Sequence, residues 1–257
     1  MKNFAKNNKI LLILIAVVLL LSVYYITYFR LSVNRYVEQF EGTYNVQDTT
    51  DSERIDLHRV PGYHQLLKQK GLLDGMVKLA KSDTVGLFLN LPDSTAHLMI
   101  EGMAVRNIAL CQIEMNALFR IASEEALYKW LSEPLRVISE RATIEKEPVN
   151  VVVAPKDSSD EVPEVVPDTL RTDPVFFILE TDRGLQLYFY QTGEEEEWST
   201  YKFDWQYRWE NAKEAIKAIV HFQIPNYKPV LRIGLSKEDA QVIYRALPSQ
   251  GLIVLTL

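Results

Sequence analysis

The stretch VLRIGLSKEDAQVIYRALP, residues 230–248, followed by GLIVLTL, residues 251–257, decides the fold that this sequence predicts. An apolar run, a helical segment and a second apolar run predict a strand, a helix and a closing strand. Ser236 can cap the helix, Asp239 can return the bond as in a capping box, and Pro248 stops the helix. The helix has one apolar face at the expected spacing: Ala240, Ile243, Tyr244 and Leu247.

Apolar runs in the first half of the chain predict one helix and a small sheet. Apolar residues recur at near-helical spacing over residues 63–82, which predicts a helix that Gly71 can break. Residues 84–91, 96–101 and 104–113 are β-prone and are separated by turn signals, so they predict an antiparallel meander.

The middle of the chain predicts a second helix and a hairpin. Residues 123–140 have helical spacing, with Ser123 as the N-cap and Pro134 as the point where the helix kinks or splits. Residues 174–180 and 185–191 are apolar runs joined by a turn, which predicts a β-hairpin.

A row of aromatic residues follows the hairpin. In WSTYKFDWQYRW, residues 198–209, every second residue from 201 onward is aromatic, which predicts a strand with these rings on one face. Residues 211–222 then predict a short helix with Asn211 as a candidate cap. Such a row either packs in the core or, if it is exposed, contacts sugar rings or a protein partner. Trp205 and Trp209 are therefore the candidate binding residues.

The first thirty residues predict a membrane anchor. Lys2, Lys6 and Lys9 precede an uncharged run of twenty residues that begins at Ile10 and ends at Phe29. A helix of this length spans about 30 Å, the thickness of the hydrocarbon core of a bilayer. A cleaved signal peptide is the alternative, but no small-x-small cleavage site follows the run. The lysines predict a cytoplasmic amino terminus, and hence a single-pass protein of the bacterial inner membrane with a periplasmic carboxyl-terminal domain.

The predicted fold class is α+β, with an N-terminal single transmembrane helix followed by a mostly β exported domain with flanking helices. Residues 1–30 are the cytoplasmic stub and the transmembrane helix, and residues 31–62 are a stalk or connector. Residues 63–257 are the exported domain, which an acidic, proline-rich linker interrupts at residues 154–174. Two subdomains divided near residue 160 are the alternative.

Charge and composition exclude several classes of protein. The first thirty residues carry four positive charges and no negative one, so the net charge of −6 for the chain leaves −10 for residues 31–257. A nucleic-acid-binding body needs a basic surface, so nucleic acid is not a predicted partner. The four histidines lack the spacing of a zinc site, and neither a metal nor a cofactor is predicted. Cys111 is the only cysteine, and its apolar surroundings predict an inert buried thiol.

The closing stretch resembles the end of the L,D-transpeptidase (YkuD-type) domain, a mostly β fold that crosslinks peptidoglycan. That family has a motif of the form S-x-G-C-x-R-L, then a helix that begins with a polar cap and Asp-Ala, and a last strand after a glycine. Residues 84–105 resemble the opening hairpin of the family. The matching residues of the closing stretch are Leu235, Ser236, Asp239, Ala240, Ile243, Tyr244, Leu247 and Gly251.

The residues that would carry the family's chemistry differ in this chain. The register places Arg232 where the family has its nucleophilic cysteine, and Pro229, Leu231 and Gly234 replace the serine, glycine and arginine of the motif. A guanidinium has no lone pair available at neutral pH, so it cannot replace a thiolate as the acyl-accepting nucleophile. The family's histidine base is expected upstream, where His221 is the only candidate. The resemblance therefore implies a degenerate domain with no catalytic residues.

These observations predict a non-enzymatic, membrane-anchored envelope protein. It is expected to act as a scaffold, as a subunit of a membrane complex with envelope protein partners, or as a peptidoglycan-associated protein. One alternative is a diverged peptidoglycan L,D-transpeptidase with a relocated nucleophile. The other is an unrelated α+β domain for protein–protein interaction.

Overall fold

A computed structural model describes residues 2–44, 62–146, 174–193, 198–221 and 223–257, and has the mixed α+β class that the sequence predicts. The predicted linker lies outside these residues, except for Pro174. The helices are α1 (Lys2–Tyr44), α2 (Tyr63–Ala80), α3 (Leu118–Ile121), α4 (Glu124–Leu131), α5 (Trp198–Val220) and α6 (Lys237–Ala246). The strands are β1 (Gly86–Asn90), β2 (Thr95–Ile100), β3 (Met103–Ala109), β4 (Gln112–Met115), β5 (Leu135–Ala142), β6 (Phe176–Thr181), β7 (Gln186–Gln191), β8 (Val230–Leu235) and β9 (Leu252–Thr256).

The nine described strands form one sheet that closes on itself. Their order is β3-β2-β1-β9-β5-β6-β7-β8-β4, with β1–β9 and β7–β8 as the parallel pairs. The two end strands, β3 and β4, are separated in the chain only by Leu110 and Cys111. The N–H of Leu110 donates to the Ser94 carbonyl and the N–H of Cys111 to the Gly234 carbonyl, each at 2.8 Å. Consecutive N–H groups of an extended chain point to opposite sides. The continuous segment formed by β3, the two-residue link and β4 therefore has β2 on one edge and β8 on the other.

Side chains alternate between the main core and two outer layers. From β6, Phe177 and Leu179 enter the main core, whereas Phe176 and Ile178 pack beneath α5. On the other side of the molecule, Val254 of β9 packs beneath α2. This alternation is the period of two that a strand buried on both faces requires.

The amino-terminal helix α1 runs on beyond the apolar run and becomes part of the body. Its described side chains between Ile13 and Leu31 are mostly exposed, but Val33, Val37 and Phe40 are buried in the main core. The Phe40 ring meets Trp130 of α4 edge-on, with 5.4 Å between the ring centroids. Of the predicted stalk or connector, residues 31–44 therefore belong to a docked helix.

Of the described helices, α1 is long and apolar enough to cross a membrane, and signal sequences share this property.

The docking of α1 on the body also involves polar groups. The Ser32 hydroxyl donates to the Pro225 carbonyl at 2.6 Å, and the Glu41 carboxylate accepts from the Ser123 N–H at 2.7 Å. These contacts fix the axis of α1 relative to the sheet.

Several predictions of local structure are confirmed. Residues 84–113 contain the antiparallel meander β1-β2-β3, and residues 174–191 contain the hairpin β6-β7. The chain ends with β8, α6 and β9, and the Ser236 hydroxyl accepts from the Asp239 N–H at 3.2 Å, as an N-cap does.

The predicted break in α2 is wrong, because the helix continues through Gly71. Both glycines of α2 are buried where other elements approach closely. A Cβ on Gly71 would lie 3.1 Å from the Tyr128 carbonyl, and one on Gly75 would lie 3.2 Å from the Val254 side chain. The glycines therefore serve packing and do not interrupt the helix.

The helix predicted over residues 123–140 is wrong in its second half. Helix α4 ends at Leu131, and β5 begins at Leu135. Pro134 cannot continue a helix because it lacks an N–H. After it, Leu135 and Val137 alternate into the main core, and β5 pairs with both β9 and β6.

The strand predicted over residues 198–209, and the short helix after it, are also wrong: α5 is one helix from Trp198 to Val220, with Asn211 in its interior. When every second residue is aromatic, rings four residues apart are present as well. A spacing of four places side chains on one face of a helix. Asp204 and Arg208 form an ion pair at this helical spacing, with 2.9 Å between Oδ2 and Nε.

Candidate functional site

Helix α5 presents a pair of exposed tryptophans. The side chains of Trp205 and Trp209 are 63% and 45% exposed, and their rings stack with centroids 5.7 Å apart and planes inclined by 7°. The ammonium of Lys213 lies 5.7 Å from the centroid of the Trp209 ring. Exposed, preordered aromatic rings beside a cation are suited to binding a partner. The two candidate binding residues therefore lie together on one surface, the tryptophan pair.

The opposite face of α5 packs on the sheet through a buried tyrosine. The Tyr207 hydroxyl donates to the Glu180 carboxylate at 3.0 Å and accepts from the Gln186 amide at 2.7 Å. Burial, and then the Glu180 charge, raise the pKa of Tyr207. Burial also raises the pKa of the neighbouring Tyr188, with a smaller contribution from Tyr207. The hydrogen bonds of the Tyr207 hydroxyl to Glu180 and Gln186 hold α5 on the sheet.

Arg232, which the predicted resemblance aligns with the cysteine of the transpeptidase family, lies on β8 and faces α5. Its guanidinium contacts the Asp204 carboxylate at 3.3 Å and lies 3.9 Å from the Glu114 carboxylate. It also lies over the ring of Tyr190, 5.6 Å from the centroid. Asp204 pairs with Arg208 as well, so one carboxylate serves two guanidinium groups. This arrangement is an ion-pair network between the sheet and α5.

The other degenerate-motif positions have separate surroundings. Leu231 is fully buried in the main core. Gly234 is on the outer face, where a Cβ would lie 2.5 Å from Thr192, so the close approach of the chains requires glycine. Pro229 precedes β8, and its carbonyl accepts from the Gln186 N–H at 2.9 Å. The structure does not bring these residues together with His221, whose Nδ1 contacts the Lys217 carbonyl at 2.7 Å.

A cavity of about 640 Å³ lies between α1, α5 and the sheet. We call it the α1–α5 cavity. Tyr25, Phe29 and Ser32 form its wall on α1, and residues 223–228 close one side. Two cations and one carboxylate line it: Arg208, Lys228 and Glu214. On the sheet side it is polar, with Asn116, Gln186 and Tyr188.

The sequence analysis missed this cavity. The available signal is the row of small residues on α5 at helical spacing, Ala212, Ala215 and Ala218, which all line it. This row is visible only when residues 198–220 are recognised as one helix. The contribution of Tyr25 and Phe29 depends on the docking of α1, which joins distant parts of the chain.

A hydroxyl, an imidazole and an amide form a hydrogen-bonded series on the exposed side of β2 and β3. The Thr95 Oγ1 is 3.2 Å from His97 Nε2, and His97 Nδ1 is 2.7 Å from Asn107 Oδ1. The order matches that of a nucleophile, a base and an orienting group. However, the α1–α5 cavity does not include these residues. Among the described residues, no cluster of three or more His, Cys, Asp or Glu side chains could hold a metal ion.

The predicted burial of Cys111 is wrong, because the residue is exposed. It lies at the corner where β3 passes into β4, and there its backbone, not its side chain, contributes to the sheet. The ring nitrogens of His97 contact Thr95 and Asn107. Neither His97 nor His221 therefore forms a dyad with this thiol.

A scan against protein-family models and searches of curated proteins and solved structures find no match to this chain. The transpeptidase resemblance of the closing stretch accordingly stays a prediction.

Proposed function

We propose that this chain is a single-pass membrane protein of the bacterial cell envelope. The apolar part of α1 crosses the inner membrane with its amino terminus in the cytoplasm, and the periplasmic body acts as a non-enzymatic interaction module. In this role it is a scaffold or a subunit of a membrane complex that contacts envelope proteins, and peptidoglycan is a further candidate partner. The closing stretch is that of a degenerate L,D-transpeptidase-like domain.

The observation that carries this proposal is the exposed tryptophan pair on α5. A single exposed apolar side chain is normal, but two stacked indoles on a helix that is fixed from behind by Tyr207 form a rigid, preordered surface. Rings that are already ordered lose little conformational entropy when a partner binds. The occupant we propose is a protein with its own apolar patch and an acidic residue that meets Lys213.

Arg232 supports the non-enzymatic part of the proposal. Its guanidinium is engaged by the Asp204 carboxylate and lies near Glu114 and the Tyr190 ring, so it holds α5 on the sheet. The position has a structural role that a reactive thiol would not fill. In the same way, the buried Val33, Val37 and Phe40 hold the body directly against the end of the anchor, as a membrane-proximal subunit requires.

Site-specific photocrosslinking tests the proposal in intact cells. A photoreactive amino acid replaces Trp209, and in a matched chain it replaces Glu238, which is exposed on α6. We expect a discrete protein adduct from position 209 and none from 238. Adducts with lipid alone at position 209 would contradict the protein partner, and adducts with wall fragments would identify peptidoglycan in its place.

The enzymatic alternative has one observation in its favour, the Thr95–His97–Asn107 series. Thr95 would be the relocated nucleophile. Peptide-stem crosslinking by the purified full chain that is lost in Thr95→Ala would support this alternative and contradict the non-enzymatic proposal. The absence of turnover in the wild-type chain would contradict the alternative.

A further inference from the structure

Two of the three α1 residues that line the α1–α5 cavity lie in the apolar run. Tyr25 and Phe29 are one helical turn apart, which corresponds to about 6 Å along the axis. They are two of the four aromatic residues at the end of the run that begins at Ile10, namely Tyr24, Tyr25, Tyr28 and Phe29. Under the proposed function this turn lies at the periplasmic interface of the inner membrane with water, where tyrosine side chains are favoured. The cavity therefore borders both lipid and the body.

The shape of the cavity results from small residues on α5. Ala212, Ala215 and Ala218 line it, so α5 leaves open space between its backbone and α1. Its volume of about 640 Å³ lies within the range of pockets that hold small ligands, about 300–1,000 Å³. An aromatic and aliphatic wall on one side and a polar wall on the other suit an amphipathic molecule.

The polar groups specify the head of that molecule. Two cations, Arg208 and Lys228, line the cavity against one carboxylate, Glu214, from which the Lys228 ammonium is 3.9 Å away. Arg208 pairs with Asp204, which also contacts Arg232, and Arg232 has Glu114 as a second carboxylate. Of these ionised groups only Arg208, Lys228 and Glu214 line the cavity, so its charged lining carries one more positive than negative charge. An anionic group is favoured beside these cations.

Asn116 indicates a further feature of the head group. Its Nδ2 donates to the Lys228 carbonyl at 3.4 Å, but its buried Oδ1 has no hydrogen-bond partner among the described residues. A buried acceptor without a donor is unfavourable, and a ligand hydroxyl would satisfy it.

From these features we propose that the α1–α5 cavity binds an anionic membrane lipid with hydroxyl groups in its head. The head contacts Arg208, Lys228 and Asn116, and the upper part of an acyl chain lies along Tyr25 and Phe29. The inference rests on the proposed function in one respect, namely that α1 is in a membrane. It does not depend on the tryptophan pair or on its partner.

Photolabelling of the full chain tests the proposal. The purified protein is placed in phosphatidylcholine nanodiscs that contain phosphatidylglycerol with a photoreactive acyl chain, and labelled peptides are mapped by mass spectrometry. We expect labels on the peptides that cover residues 208–228. The variant Ala215→Trp fills the cavity and should reduce this labelling by about tenfold or more. The matched control is Lys217→Trp, which adds the same ring to α5 at an exposed position outside the cavity lining.

A second variant tests the head group without filling the cavity. Arg208→Gln combined with Lys228→Gln should remove the preference for photoreactive phosphatidylglycerol over photoreactive phosphatidylcholine. Equal labelling by the two lipids in the wild-type chain would overturn the proposed head specificity. Displacement of the label by soluble glycerol 1-phosphate alone would show that the cavity is a site for a free phosphate ester. That result would contradict the proposal that its ligand is a membrane lipid.

Two outcomes separate this inference from the proposed function. Labels confined to residues 10–29 that Ala215→Trp does not reduce would indicate surrounding lipid only, and would overturn the cavity proposal while leaving the anchor intact. Release of the chain from membranes by alkaline extraction would contradict the anchor, and the cavity proposal with it.

Discussion

Replacing Phe40 by alanine tests whether the end of α1 belongs to the body. The Phe40 side chain is 5% exposed and meets Trp130 edge-on at 5.4 Å and Tyr44 at 4.9 Å between ring centroids. Removing a buried phenylalanine ring from a packed core costs about 3–5 kcal/mol, since the site cannot fully collapse. We expect a loss of that size in the free energy of unfolding.

Urea unfolding of the full chain in mild detergent measures the effect, with tryptophan emission and far-ultraviolet circular dichroism as probes. The matched control is Phe29→Ala, the same substitution on the same helix at a side chain that is 50% exposed, where we expect a change within about 0.5 kcal/mol. A cost below about 1 kcal/mol for Phe40→Ala would refute the docking of α1.

Three further predictions concern the two outer layers. An added Cβ at Gly86 would lie 2.2 Å from Leu79 Cδ1, so Gly86→Ala should lower the free energy of unfolding by about 1–3 kcal/mol, and an unchanged value would contradict the packing of α2 on β1. Trp205→Ala should change that free energy by less than about 0.5 kcal/mol, whereas Tyr207→Ala should cost about 3 kcal/mol; equal costs in urea unfolding would contradict the helical arrangement of α5. Burial raises the pKa of Tyr188 above its ordinary value of 10.0, so the unfolded chain loses this proton first and stability falls as the pH rises above 10. Tyr188→Phe should flatten this fall, and an identical pH profile in the variant would refute the assignment.

Local signals in the sequence predict the closing β8-α6-β9 unit because all of them agree. An N-cap at Ser236, an apolar face and a proline after the helix are short-range features, and the structure has each of them. The strands of the meander and the hairpin are likewise set by nearby turns. The closure of the sheet is different. It depends on pairing β1 with β9, which joins residues 87–90 to residues 253–256, and no local pattern encodes such a distant contact.

The error at residues 198–209 has a specific physical cause. With an aromatic residue at every second position, the spacing of two for a strand and the spacing of four for a helix are both satisfied. The charged residues between the rings decide the question, because Asp204 and Arg208 can pair across one helical turn and cannot pair along a strand. The helix places Trp205 and Trp209 on one face and Tyr207 on the other. One strand face would have carried all three.

This helical arrangement also determines what the candidate sites can do. If residues 198–209 formed a strand, Trp205 and Trp209 would lie on the same face as the buried Tyr207 and would be part of the core. In α5 they are exposed, and a third part of the helix surface is left for the alanines that line the α1–α5 cavity. The sequence pointed to Trp205 and Trp209 through an expected strand face, whereas the structure exposes them on a helix, and their role in binding stays a prediction.

Arg232 connects these surfaces. It lies on β8, which is paired on both edges, so its backbone position is fixed by β7 and β4. Its guanidinium reaches Asp204 on α5, and the two side chains are only 26% and 17% exposed, so solvent screens this ion pair less than one on the open surface. Loss of one partner from such a pair leaves a partly buried charge unpaired, which is the costly case. The orientation of α5 thus depends on Arg232, the residue that the predicted resemblance aligns with a cysteine. Asp204 in turn contacts Arg208, which lines the cavity. The chemistry at this position is that of an ion pair that joins the sheet to α5, and both proposed binding surfaces lie on that helix.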